Sequence, residues 1–239
     1  MNSVASMKDA SAYFKQLPEQ LEQYFDDAYQ NAFQGVMDAF DEFFRLTAAI
    51  DEKAKNEHII SAEEATDIGD HGLTLLLKMV DLMEKLDLPN KRKEIEQIAL
   101  IFSTWVIQYD GRINILEPIV NAFAHAANSL SSKESLSALA EIMGEVTMAC
   151  SDEIRYDFEV ADLYRPWRLL LVNRCIVSTR THNVDQIRSA FDDLLRYLPQ
   201  DAHGFFEEAE AEMHEKRYPE PVKELIKKYL GLKTTMRLH

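Results

Sequence analysis

YRPWRLLLVNRCIVSTRTHNVDQIRSAFDDLLRYL, residues 164–198, is the stretch whose reading decides the fold. Pro166 suits the first turn of a helix, and Trp167 to Val177 is apolar apart from Arg168, Asn173 and Arg174. Thr181-His182-Asn183 is a polar joint. After it, Ile187, Phe191, Leu194, Leu195 and Leu198 recur at helical spacing until Pro199 ends the run. The pattern predicts two antiparallel helices, the first buried on most sides and lying in the middle of the core.

The rest of the chain extends this reading. Its 239 residues suffice for one large core or two small ones, and only seven glycines and seven prolines leave few tight turns for a sheet protein. The fold class expected is all-α, built from antiparallel helical hairpins. Pro18 predicts the start of a long helix reaching about Ile50, preceded by a short helix near Ala10–Leu17. Its aromatic stripes (Phe25, Phe40 and Phe43; Tyr24, Phe33 and Phe44) are wide enough to face two neighbours or a second copy of the chain. Ser61 and Glu64 form a capping-box pattern that opens a helix to about Leu86, and Leu88-Pro89-Asn90 breaks it. Further helices are expected over 91–109, 116–130, 132–150, 154–164, 201–215 and 221–230, with Gly231 capping the last.

Charge divides the chain unevenly. Residues 1–90 carry 7 basic and 18 acidic side chains, net −11, and residues 91–239 carry 19 and 23, net −4. The expected organisation is acidic helices over 1–90 packed on a helical-hairpin region over 91–239, together one continuous domain. Such acidity repels phosphates, so a nucleic-acid partner is not expected. No apolar run is long enough for a membrane span or a secretory signal, and Cys150 and Cys175 are lone thiols in apolar settings. A cytoplasmic protein is expected, with no membrane partner.

One spacing recurs. Ile119, Phe123 and Ala126 are followed by Ile154, Phe158 and Ala161, then Ile187, Phe191 and Leu194, then Val222, Ile226 and Tyr229, at offsets of 35, 33 and 35 residues. Pro166 and Pro199 each stand five residues after the second and third sets. This resembles the second helix of a tetratricopeptide repeat, within residues 95–230 at most. Small positions of that repeat hold Ile or Leu here, and its first-helix signature is approached best in the last unit, by Phe206, Ala209 and Met213. The resemblance implies a stacked, TPR-like array with a concave groove for a protein or peptide. An irregular helical bundle is the alternative, and both bury each hairpin against its neighbour.

Chemistry-bearing residues fall in two places. Arg165, Arg168 and Arg174 interrupt the most apolar helix, with Tyr164, Trp167 and Asn173 beside them. Guanidinium groups on the inner side of a helical array would clamp a carboxylate or phosphate, or else pair internally with Glu159, Asp162, Asp192 and Asp193. Asp67, Asp70 and His71 step along one helix face and form the alternative, a metal site in a bundle enzyme. That alternative lacks any Glu-x-x-His pair of the di-iron kind. With no nucleophile elbow, phosphate loop, dinucleotide fingerprint or Cys-x-x-Cys, no catalytic residue and no cofactor are assigned. The leading expectation is a non-enzymatic interaction module, and a homo-oligomeric assembly subunit is the second.

Overall fold

The computed structural model describes residues 6–24, 27–54, 60–156, 162–213 and 218–236, with the backbone alone at 27, 28 and 233–236. These residues form eleven α-helices, a 3-10 turn at Glu22–Tyr24 and no strand, so the fold is all-α as expected. In order they are α1 (Met7–Leu21), α2 (Asp27–Lys53), α3 (Ala62–Lys85), α4 (Pro89–Gln108), α5 (Glu117–Ser129) and α6 (Lys133–Ala149). The one-turn α7 (Asp152–Arg155) precedes α8 (Pro166–Thr181), α9 (Val184–Tyr197), α10 (Pro199–Met213) and α11 (Glu220–Met236). The chain divides into two compact units: Met1–Ala126 with Met148–Ile154, and Ala127–Thr147 with Arg155–His239. The division expected at residues 90 and 91 falls in the first turn of α4, which packs on α3 inside the first unit.

In the first unit, helix starts follow local chemistry. Ser6 accepts from the Asp9 amide at 3.3 Å and donates its own amide to the Asp9 carboxylate at 2.7 Å. That closed capping box starts α1 well before Pro18, contrary to the expectation that Pro18 opens a helix. Pro18 instead lies inside α1 and withholds only its missing N–H, and the α-helix ends three residues after it, at Leu21. Ser61 and Glu64 form the second capping box, opening α3 where the pattern predicts it.

Phe14, Phe40, Phe43, Phe44 and Phe102 make a contiguous aromatic core, with Phe14 and Phe40 centroids 4.0 Å apart and Phe43 and Phe102 4.8 Å apart. Each fully buried ring contributes about 1.5–3 kcal/mol. Of the aromatic stripes expected on the long helix, Phe33, Phe40, Phe43 and Phe44 are buried, Tyr24 is exposed, and Phe25 lies outside the described residues. Asp51 ties the end of α2 to α4, accepting from Trp105 Nε1 and from the Tyr109 hydroxyl, both at 2.8 Å.

The second unit is organised around α8. Trp167, Leu170, Leu171, Cys175 and Val177 are buried around it, and Trp167 is 1% exposed. His182 closes α8 in the left-handed region, at φ 61°. Asn183 then caps α9 by accepting from the Asp185 and Gln186 amides. On α9 a single face is buried, through Ile187, Ala190, Phe191 and Leu194. Phe191, Phe206 and Tyr229 stack edge to face across α9, α10 and α11, with centroids of Phe191 and Phe206 4.9 Å apart.

The recurring positions Ile187, Phe191, Leu194, Val222, Ile226 and Tyr229 are all buried, which is the helical periodicity a repeat array and a bundle share. Of the helix expected over 154–164, Ile154 and Arg155 close the one-turn α7, Tyr156 and residues 162–164 are not helical, and 157–161, with Phe158 and Ala161, lie outside the described residues. Gly231 does not end the last helix. α11 runs on to Met236, since a solvent-facing glycine costs a helix only about 1 kcal/mol.

Candidate functional site

The six residues expected to gather at one ligand site are distributed along α8 and the turn before it. Arg168 donates Nε to Asp201 Oδ1 at 2.7 Å and an Nη to the Leu163 carbonyl at 3.0 Å. Arg165 is buried, donating to the Asp162 carbonyl at 2.9 Å and to Asp201 Oδ2 at 3.4 Å. Asp201 stands in the first turn of α10, where a carboxylate also suits the helix dipole, so the two arginines fasten the start of α8 to α10. Two turns later Arg174, 7% exposed, turns the other way. It pairs with the Asp193 carboxylate and donates to Ser189 Oγ at 2.9 Å, fastening α8 to α9.

Trp167 is core, Asn173 is half-buried, and Tyr164 is 81% exposed in the turn before α8. Asp193 is among the partners foreseen for these arginines. Asp192 instead accepts from Tyr229 at 2.6 Å, and Glu159 lies outside the described residues.

The alternative metal residues do not converge either. Asp67 and His71 are exposed, while Asp70 accepts from Asn114 Nδ2 at 2.7 Å. Burial pushes the Asp70 carboxyl up from its ordinary value. Among the described residues no three His, Cys, Asp or Glu side chains are placed to hold a metal ion.

Two features escaped the sequence reading. Glu96 is 2% exposed, accepting from Arg92 Nε at 3.2 Å and meeting His125 Nε2 at 3.0 Å. Its only signal is a carboxylate one place after Ile95 on an otherwise apolar helix face. The second feature is a groove of about 290 Å³ between α8 and α10 in the second unit. Val172, Ile176 and Thr179 of α8 and Phe205 and Ala209 of α10 form its apolar floor. Arg180, Glu208, Glu212 and Tyr218 border it.

The groove is built by the same helices that the arginine pairs fasten, although neither Arg168 nor Arg174 lines it. Ile176 is 45% exposed, a large aliphatic side chain left to solvent on an otherwise buried helix. Arg180 donates to the Ala127 carbonyl at 2.7 Å and to the Leu130 carbonyl at 2.8 Å. Its charge therefore offsets the carbonyl end of α5. Tyr218 stands edge-on to the His182 ring, with centroids 5.8 Å apart. Lys133 Nζ lies 3.0 Å from His182 Nδ1, and burial followed by the Lys133 charge pulls the His182 pKa down. An apolar floor with few polar groups at its edge can hold one or two side chains of a bound chain segment.

Among the described residues no helix is long and apolar enough to cross a membrane. Compared with protein-family models, with curated proteins and with solved structures, the chain matches none.

Proposed function

We propose that the protein is a non-enzymatic interaction module of the cytoplasm, and that a segment of a partner protein docks in the α8–α10 groove with its helical hairpins acting as a TPR-like scaffold. The observation that carries this reading is Ile176, exposed on the floor of an apolar groove whose two walls are joined by the Arg168–Asp201 pair, while Arg174–Asp193 holds α8 to α9 behind it. A preformed groove on rigid helices loses little entropy when a segment binds. The aromatic side chains of α2, which would otherwise serve self-association, are largely buried inside their own unit.

Binding partners recovered with the purified protein and with Ile176→Asp, then re-tested as purified pairs, decide the matter. The reading expects a partner that binds the parent and loses affinity on the order of tenfold or more with the variant. Partners that bind both proteins equally contradict it.

A further inference from the structure

A second cavity, of about 180 Å³, lies within the first unit between α3, α4 and α5. Leu77 and Val80 of α3 and Pro118 of α5 give it an apolar floor. Its volume falls below the roughly 300–1,000 Å³ usual for a small-molecule site and suits a single side chain. Glu84 of α3 and Glu117 of α5 also line it, and Glu117 is exposed, with no hydrogen bond or ion pair among the described residues. Glu84 meets an Arg92 Nη only at 3.7 Å, and its side chain stays 66% exposed. Arg92 answers the buried Glu96 first, donating Nε at 3.2 Å to a carboxylate whose other oxygen meets His125. Asp81, also in the lining, is taken up by Lys85 at 2.6 Å. Two exposed carboxylates therefore remain, one loosely paired and one unpaired among the described residues.

The charge of the chain is concentrated in the same unit. Residues 1–126 with 148–154 carry 11 basic and 24 acidic side chains, net −13, whereas the second unit carries 15 and 17, net −2. Residues 1–5 and 25–28 contribute no Lys or Arg. Lys55 precedes α3, which begins at Ala62, about four turns before Leu77. The field of this unit draws cations towards it.

We infer that the α3–α4–α5 cavity is a docking point for a basic segment of a partner protein, seating one Lys or Arg side chain. The aliphatic stem covers Leu77, Val80 and Pro118, and the cationic head meets Glu84 and Glu117. The stem supplies the holding contact, while the carboxylates set the sign of the partner and the rate of encounter. An acidic segment meets like charge there and is rejected.

The cavity stands apart from the α8–α10 groove, so either can fail without the other. Acetyl-tetralysine amide titrated into the full chain, with the Leu77 and Val80 methyl signals followed by NMR, tests it. Both signals are expected to shift and saturate, and acetyl-tetraglutamate amide is expected to move neither. The double variant Glu84→Gln/Glu117→Gln is expected to weaken tetralysine binding on the order of tenfold. Both substituted positions are exposed, and circular dichroism checks that the variant keeps its helices. Spermidine, with fewer charges and no peptide chain to touch the rim, is expected to bind more weakly than tetralysine.

Leu77 and Val80 unmoved, shifts that never saturate, or equal affinity for the double variant overturns the inference. Spermidine binding as tightly as tetralysine, with the same shifts, assigns the cavity to a free polyamine and overturns the protein partner.

Discussion

Gly144 and Arg174 lie against each other: a β-carbon on Gly144 would stand 3.1 Å from an Arg174 Nη and 3.3 Å from its Cζ. The glycine of α6 leaves room for the guanidinium, and Asp193 and Ser189 hold it from the side of α9. Gly144→Ala gains about 1 kcal/mol of helix propensity and loses about 1–3 kcal/mol to crowding of a pinned group. We expect a net loss of about 1 kcal/mol in denaturant unfolding. Arg174→Ala leaves Asp193 without its charge partner and costs about 3–5 kcal/mol. In the Arg174→Ala background the crowding is gone, so Gly144→Ala should turn neutral or stabilising. A double-mutant cycle showing simple additivity contradicts the packing described.

Asp51 carries two hydrogen bonds on one oxygen. Asp51→Ala strands the buried indole N–H of Trp105 and is expected to cost about 1–3 kcal/mol in the same unfolding assay. The Tyr109 phenol, pushed up to about 12 by burial and by Asp51, should titrate closer to an ordinary tyrosine in the variant. Because the folded value is raised, the stabilisation is complete below the unfolded pKa and is lost as pH rises through about 12. The difference in alkaline absorbance titration between parent and Tyr109→Phe reads it directly. An unchanged phenol titration in Asp51→Ala counts against the contact.

His182 gives the opposite sign. Burial and Lys133 hold its imidazole below the usual range, so the neutral form is favoured in the folded hairpin. The stabilisation it lends is present above the unfolded pKa and is lost as pH falls through the lower folded value. NMR titration of the His182 ring protons should show this depression, and Lys133→Ala should relieve part of it, leaving the larger share due to burial. A ring that titrates like a free histidine, or one unmoved by Lys133→Ala, is the contrary result.

How far these features were legible varies with their range along the chain. Ser61 with Glu64 and Pro89 bound α3 through contacts three residues apart or through a missing amide, so sequence spacing alone locates them. Pro166 and the His182-Asn183 joint delimit α8 for the same reason. At Pro18 two local signals compete. Its fixed backbone angle suits a helix start, but Ser6 and Asp9 close a capping box earlier, and the helix tolerates the proline within its last turn.

The arginines were visible as residues, whereas their partners were not. Asp201 is 33 residues from Arg168 and Asp193 is 19 from Arg174, so pairing depends on which faces of α8 meet α9 and α10. The groove is further removed still. Ile176 reads as one more core aliphatic until the approach of α10 leaves it uncovered.

Methyl NMR of the full chain, titrated with a purified partner recovered with the parent protein, tests docking in the second unit most directly. The account predicts that signals of Val172, Ile176 and Ala209 shift in step and saturate, while Ile98 and Val106 of the first unit stay in place. Saturating shifts at Ile98 or Val106 with Ile176 unmoved would contradict it.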